Sequence, residues 1–428
     1  MASIIVGGLP AEYRELHYIM ANGTQRVDTG IIPSSTTRLF VDADVLSANS
    51  GTNHHIASVY SNSNYFMLRL RADLSGFAAR VGSGALTNVA HEGTVYGRHT
   101  FDFNQGTIQI DNAEATELLD SSSIWNETLS LNLFCYRGGE SSFNGYSYIK
   151  LYSCKIYDGF NLVRNFIPCM NMTTFEVGLY DTCEREFHGN SGTSVLFPGP
   201  PVIKLPGGFS ELESIISTGT QYIDTEFKVN QDTTVVAAFK MTANASNHQM
   251  MFGSRNTTST GQYILGFAGH KSPAVWRSDF GTSQVSFEST LGYADRILAI
   301  KKKNVCTLNG TSVTNTAATF ESSYNMILMG GNSAGSVSSL LSTEFNMCLI
   351  YDGDDLVRDF VPCKSKDGTI GLYDQVEGKM YTNAGSGDFT AGSVTYVSPE
   401  GGLFVKVNGH WKSVDSITVN AKMSSLLG

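Results

Sequence analysis

The sequence predicts an all-β chain, two tandem antiparallel β-sandwiches followed by a small C-terminal β element. Three observations carry that prediction. The segment "YDGFNLVRNFIPC" at 157–169 returns as "YDGDDLVRDFVPC" at 351–363, 194 residues later and identical at nine of thirteen positions. Runs such as "TRLFVDADVL" at 37–46 and "TTVVAAFKMT" at 233–242 alternate or are β-branched, as strands require. Charged residues make up only 16% of the chain while glycines number 43, a balance of many turns and few amphipathic helices.

The repeat extends well beyond the first segment. "NGTQRVDTGI" at 22–31 answers "TGTQYIDTEF" at 218–227, "VGLYD" at 177–181 answers "IGLYD" at 370–374, and "FHGNSGT" at 187–193 answers "YTNAGSGDF" at 381–389. Order is preserved, so whole domains were copied. Between the copies lies "LFPGPPVIKLPGGFS" at 196–210, a Pro/Gly linker of limited flexibility. The division is 1–197 for the first module with a short N-terminal arm, 198–207 for the linker, 208–397 for the second module and 398–428 for the C-terminal element. At 428 residues the chain has room for this.

Individual elements follow from turn chemistry. "FDFNQGTIQIDN" at 101–112 places a turn between two strands, and "CTLNGTSVT" at 306–314 carries an Asn-Gly hairpin signal. In the duplicated segment Asp158-Gly159 and Asp352-Gly353 form the turn of a hairpin. Tyr157, Leu162, Val163 and Phe166, with Tyr351, Leu356, Val357 and Phe360, supply its apolar positions. Arg164 and Arg358 alternate with them and are expected to pair with a carboxylate, which makes the repeated segment scaffold.

Composition excludes several functions. A formal charge of −10 without a basic face argues against nucleic acid, and Lys301-Lys302-Lys303 reads as a solvated strand end. The N-terminus has no basic n-region and no apolar stretch long enough for a secretory signal or a membrane span, so no membrane insertion is expected. Seven cysteines (135, 154, 169, 183, 306, 348 and 363) are odd in number and sparse. A hairpin register pairing Cys154 near Asn165 leaves Cys169 about 13 Å away, beyond disulfide reach, so they are read as buried thiols of a reducing cytoplasm. Zinc-type spacing is absent.

The series "GTQYIDT", "GRHTFDFN", "YDGDDLVRDFVPC", "GLYD" and "YTNAGSGDFTAG" resembles the concanavalin A-like, laminin-G-like jelly-roll modules of bacteriophage virion proteins and gut-bacterial surface proteins, over residues 9–197 and 208–397. The tail "GGLFVKVNGHWKSVDSITVNAKM" at 401–423 is similar to short "KVNGxWK" modules near the C-termini of phage tail proteins. The resemblance implies jelly-roll sandwiches and a virion component made in the host bacterial cytoplasm. Its partners would be other virion proteins, host-surface glycan and further copies of itself. It requires no cofactor, although similar jelly rolls often hold a structural calcium ion.

Catalytic signals are weak. Asp42 and Asp44 share a strand face about 6–7 Å apart, which suits a glycosidase pair, but the second copy has Ala238 and Lys240 there. No nucleophile motif appears, so the chain is not expected to be an enzyme. His54, His55, His91 and His99 read as solvent-facing rather than as metal ligands. Sugar binding would use aromatic faces with polar side chains for hydroxyls. The matched stretches "NSNYFMLRLRADLSGFAARVG" and "GQYILGFAGHKSPAVWRSDFG" offer Tyr65, Arg69, Arg80, Tyr263, Trp276 and Arg277, against the alternative that these rings are core or subunit-contact residues. Two readings therefore stand: a virion protein contacting host glycan, or a purely structural capsid-decoration, fibre or tail subunit. In the C-terminal hairpin around Asn408-Gly409, Trp411 is the expected assembly anchor.

Overall fold

The structure is a computed structural model that describes residues 9–61, 63–118, 124–243, 247–288, 291–397, 404–407 and 410–413. All named elements among them are β-strands. The chain divides into two compact units. The first holds the described residues up to Val202 with Arg296–Leu298 and Thr307–Thr311, and the second holds the rest.

In the first unit the strands used below are β1 (Thr37–Ser47), β2 (His54–Ser61), β3 (Asn64–Leu70), β4 (Phe77–Gly82), β5 (Gly97–Asn104), β6 (Thr107–Ile110), β7 (Tyr136–Arg137), β8 (Tyr148–Asp158), β9 (Asn161–Asn171) and β10 (Val177–Asp181). A larger sheet runs β6-β5-β1-β8-β9-β10, and a smaller one runs β7-β2-β3-β4. Along β1, Thr37, Leu39, Val41, Ala43 and Val45 are buried while Arg38, Phe40, Asp42 and Asp44 are half-buried, the period of two the sequence shows. The two sheets meet through their apolar faces. Phe66 of β3 stacks on Phe103 of β5 with ring centroids 4.4 Å apart.

The second unit repeats this plan with β11 (Thr233–Met241), β12 (His248–Arg255), β13 (Gln262–Ala268), β14 (Val275–Gly281), β15 (Arg296–Lys302), β16 (Val305–Leu308), β17 (Thr311–Thr314), β18 (Ser342–Asp352), β19 (Asp355–Ser365) and β20 (Ile370–Asp374). Its larger sheet runs β17-β16-β15-β11-β18-β19, with β20 beside β19, and β12-β13-β14 form the smaller one. Asn309 and Gly310, between β16 and β17, have φ of 46° and 88°, the left-handed pair that a two-residue hairpin turn needs.

The duplicated segments converge in space as one tie per unit. Arg164 on β9 donates to the Thr29 carbonyl at 3.1 Å and lies 3.4 Å from the Asp181 carboxylate and 3.0 Å from Glu184. Arg358 donates to the Thr225 carbonyl at 3.0 Å and lies 3.7 Å from Asp374 and 2.7 Å from Glu377. Asp181 itself accepts the backbone N–H groups of Asn165 and Cys183. The motifs "DT", "VR" and "GLYD" are therefore parts of one polar clasp, which explains why both copies carry them.

Several expectations need correction. The second repeat begins before residue 208: Leu205 packs with Cys363 and Tyr373 as Leu9 packs with Cys169 and Tyr180, so the end of the linker belongs to the fold. Cys154 pairs with Phe166, next to Asn165 as expected, but Leu162 is 41% exposed, because a register shift at Ile156/Tyr157 turns the hairpin end outward. Six cysteines are buried free thiols, but Cys183 is exposed. Lys301 is fully buried, since it occupies the inward position on β15 that Phe103 holds on β5, and its ammonium donates to Ser278 Oγ at 2.6 Å.

At the C-terminus, β21 (Phe404–Val407) and β22 (His410–Ser413) pair antiparallel, with Lys406 opposite Trp411. The Asn408-Gly409 turn and the Trp411 side chain lie outside the described residues.

Candidate functional site

The smaller sheet of the first unit presents a patterned outer face. In the β2-β3-β4 register Tyr60 stands opposite Tyr65, Ser58 opposite Met67, Met67 opposite Arg80, and Arg69 opposite Ala78. Val59, Phe66, Leu68, Ala79 and Val81 alternate with these and fill the core. Alternation therefore brings Tyr60, Tyr65, Arg69 and Arg80 to one half-buried face. β7 adds Tyr136 opposite Ser58.

These side chains order one another. Tyr60 and Tyr65 rings lie 4.2 Å apart, and the Arg80 guanidinium carbon sits 3.6 Å above the Tyr65 ring. Arg80 Nε donates to the Gly84 carbonyl, which holds the guanidinium flat against the ring. Gly82 stands opposite Tyr65 with φ of 52°, and a Cβ there would lie 2.9 Å from Trp125. His55 packs on Tyr136 at 5.1 Å and shares a 2.7 Å hydrogen bond with Ser58 Oγ. Burial, with Arg69 and then His54 nearby, pushes His55 down to about 3. Burial, then Tyr65, Tyr60 and Glu127, pushes the Tyr136 phenol up to about 12.

Glu127 closes one side of the cluster. It accepts from Ser61 Oγ, while its Oε1 is buried and has no hydrogen-bond partner among the described residues. Burial raises its carboxyl to about 7. Arg69 is half-buried, its Nε sealed from solvent without a partner among the described residues, and burial followed by Arg71 lowers its affinity for the proton. The face thus combines rings, phenol hydroxyls and guanidinium donors, the groups that contact sugar rings and hydroxyls.

Of the six residues singled out from the sequence, the fold brings Tyr65, Arg69 and Arg80 together. Tyr263 and Trp276 must be withdrawn as ligand contacts, because both are fully buried. The Tyr263 hydroxyl donates to the Lys301 carbonyl at 2.6 Å, and the Trp276 ring packs against Phe267 and Phe239 at 5.2 and 5.6 Å. The two stretches match one residue out of step: Tyr263, opposite Ser254 and Phe280, takes the inward place of Phe66, and a one-residue slip exchanges the faces. Arg277 does face outward, but it meets Asp279 at 2.8 Å. The sequence reading missed Tyr60, Tyr136 and Glu127. Tyr60 was within reach, because counting inward from the tight β2-β3 hairpin places it opposite Tyr65.

Other candidates do not form a site. Asp42 is held by two hydrogen bonds from Arg98, at 2.8 and 2.7 Å, on the outer face of the larger sheet. His54, His55 and His99 are buried, contrary to the solvent-facing expectation. His54 Nδ1 lies 2.8 Å from the Tyr146 carbonyl and His99 Nδ1 lies 2.7 Å from Asp111. Among the described residues no group of three His, Cys, Asp or Glu side chains is placed to hold a metal ion. A polar cleft of about 590 Å³ in the second unit, lined by Asp367, Asn383, Asp388 and glycine-rich backbone, has only Phe389 as an aromatic, and that ring is buried.

No family model and no curated protein matches the chain. Solved structures do. The chain is similar to mouse laminin alpha1 chain, domains LG4-5, at 11% identity over 94% of this chain and 98% of that one, with a TM-score of 0.28. It is also similar to the LG1-3 region of the laminin alpha2 chain, at 8% identity over 90% of this chain and 66% of that one, with a TM-score of 0.25. Likeness at this level leaves function to the chain's own side chains.

Proposed function

We propose that the chain is a non-catalytic binding protein whose first module contacts carbohydrate through the Tyr60, Tyr65, Tyr136, Arg69 and Arg80 face. One observation carries the reading: half-buried rings and guanidinium groups sit together on one sheet face, in contact with each other. The resemblance of its repeated motifs supports placing it on a bacteriophage particle, with other virion proteins and further copies of itself as partners. The 398–428 segment would then serve as the assembly element, with Trp411 as its anchor.

A protein-contact role is favoured by a second feature. Phe160 is fully exposed at the β8-β9 hairpin tip, beside the 41% exposed Leu162, where the second copy carries Asp354. A glycan array probed with the full chain separates the two readings. Binding lost on Tyr60→Ala and Tyr65→Ala supports the carbohydrate role; an array without any hit, with Phe160→Ser abolishing particle incorporation, supports the structural one.

A further inference from the structure

We propose that the outer face of β2-β3-β4 takes a carboxylate-bearing saccharide, a hexuronate or sialate, whose acid group is held between Arg69 and Arg80. This deepens the carbohydrate reading of the same face and rests on it. Five arginines of the first unit, Arg38, Arg71, Arg98, Arg137 and Arg164, each meet a carboxylate, whereas Arg26 stacks on Phe143 away from this face. No described carboxylate pairs with Arg69 or Arg80, and Arg69 makes no hydrogen bond with a described residue. A half-buried guanidinium left this way costs free energy that an incoming anion offsets.

The two groups are placed to act together. Arg80 stands opposite Met67 and Arg69 lies two residues beyond Met67 on the neighbouring strand, so they are diagonal neighbours on one face. Arg80 is fixed through Nε to Gly84 and, at 3.5 Å, through Nη2 to Ser83, both backbone carbonyls, which leaves the far edge of its fork for a ligand. Glu127 does not cancel this charge fully, because burial favours its protonated form up to about pH 7. The phenols of Tyr60 and Tyr136 flank the pair and suit the hydroxyls of a pyranose better than an acidic peptide backbone.

The second unit supplies an internal contrast. Asp279, opposite Ile264, stands where Arg80 stands in the first unit, and Gly266 stands where Arg69 does. There Arg277 is already neutralised by Asp279. The same scaffold therefore carries Arg80 and Arg69 beside tyrosine rings in one copy, and in the other an Arg277–Asp279 pair with Arg255 bonded to Ser333.

The test uses the full chain on an array of hexuronate-, sialate-, sulfate-bearing and neutral glycans, followed by titration calorimetry of the best hit and its carboxyl methyl ester. The expected result is a set of carboxylate-bearing hits, at least tenfold weaker binding of the ester, and a similar loss in Arg80→Gln and in Arg69→Gln with unchanged melting temperature. Hits confined to neutral or sulfated glycans and lost on Tyr60→Ala would overturn the acidic specificity while sparing the carbohydrate reading. An array with no hit, or tighter binding of poly-glutamate than of any glycan, overturns both. Should Arg69→Gln fail to fold, the exposed fork of Arg80 decides alone, and undiminished binding in Arg80→Gln sinks the proposal.

Discussion

Glu127→Gln isolates the least comfortable carboxyl of the first unit. Glu127 is 3% exposed, accepts from Ser61 Oγ and has a buried Oε1 without a partner among the described residues, and burial raises it from 4.5 to about 7. At about 1.4 kcal/mol per pH unit this is a linkage of about 3 kcal/mol. The sign follows from which state binds the proton. Below pH 4.5 the group is protonated folded and unfolded, and its contribution is whole. Between 4.5 and 7 the unfolded chain ionises first, so stability is lost as pH rises; above about 7 nothing further changes. The amide keeps the acceptor for Ser61 and cannot ionise. For a unit of this size the melting-temperature difference, variant minus parent, should grow by about 6–12 °C from pH 4.5 to pH 8. His55, lowered to about 3, runs the other way, with stability lost as pH falls from 6.5, but it is present in both proteins and cancels. Trp125, two residues from Glu127 and packed over Gly82, gives a fluorescence signal from this unit. A difference that stays constant within about 2 °C across that range would show that Glu127 does not titrate near neutrality.

Lys301→Met should stabilise the second unit by about 1–3 kcal/mol at pH 7 in urea denaturation, because a fully buried ammonium with Ser278 Oγ as its hydrogen-bond partner is replaced by an apolar chain. Burial lowers the Lys301 pKa, so the parent gains stability as pH rises and the gap should narrow toward pH 10; a destabilised variant refutes the account. Arg164→Met should cost about 3 kcal/mol, since it removes the cation beside the fully buried Asp181, and Arg164→Met with Asp181→Asn should recover part of it. Asp42→Asn should leave reducing-sugar release from glycan substrates at background, as in the parent; release by the parent that the variant abolishes would make the chain a hydrolase.

The duplication was legible because its segments are identical where they build the clasp. Arg164 and Arg358, Asp181 and Asp374, and Thr29 and Thr225 meet only in three dimensions, yet each repeats in order along the chain. Strands such as β1 were legible because one face is buried and the other wet, which writes a period of two. The smaller sheet of the second unit was not: all seven residues of β13 are buried, so its sequence shows no alternation from which to read which side Tyr263 takes. Buried polar groups escaped for a related reason. Glu127 and Lys301 look like surface residues by type, and only the tertiary environment buries one so that its carboxyl pKa rises and makes the other a substitute for Phe103. Where the copies agree they hold the clasp, and where Arg80 and Arg69 give way to Asp279 and Gly266 the outer face changes its charge without changing its backbone. A scaffold duplicated under one packing constraint thus tolerates different charges on the outer face of each copy.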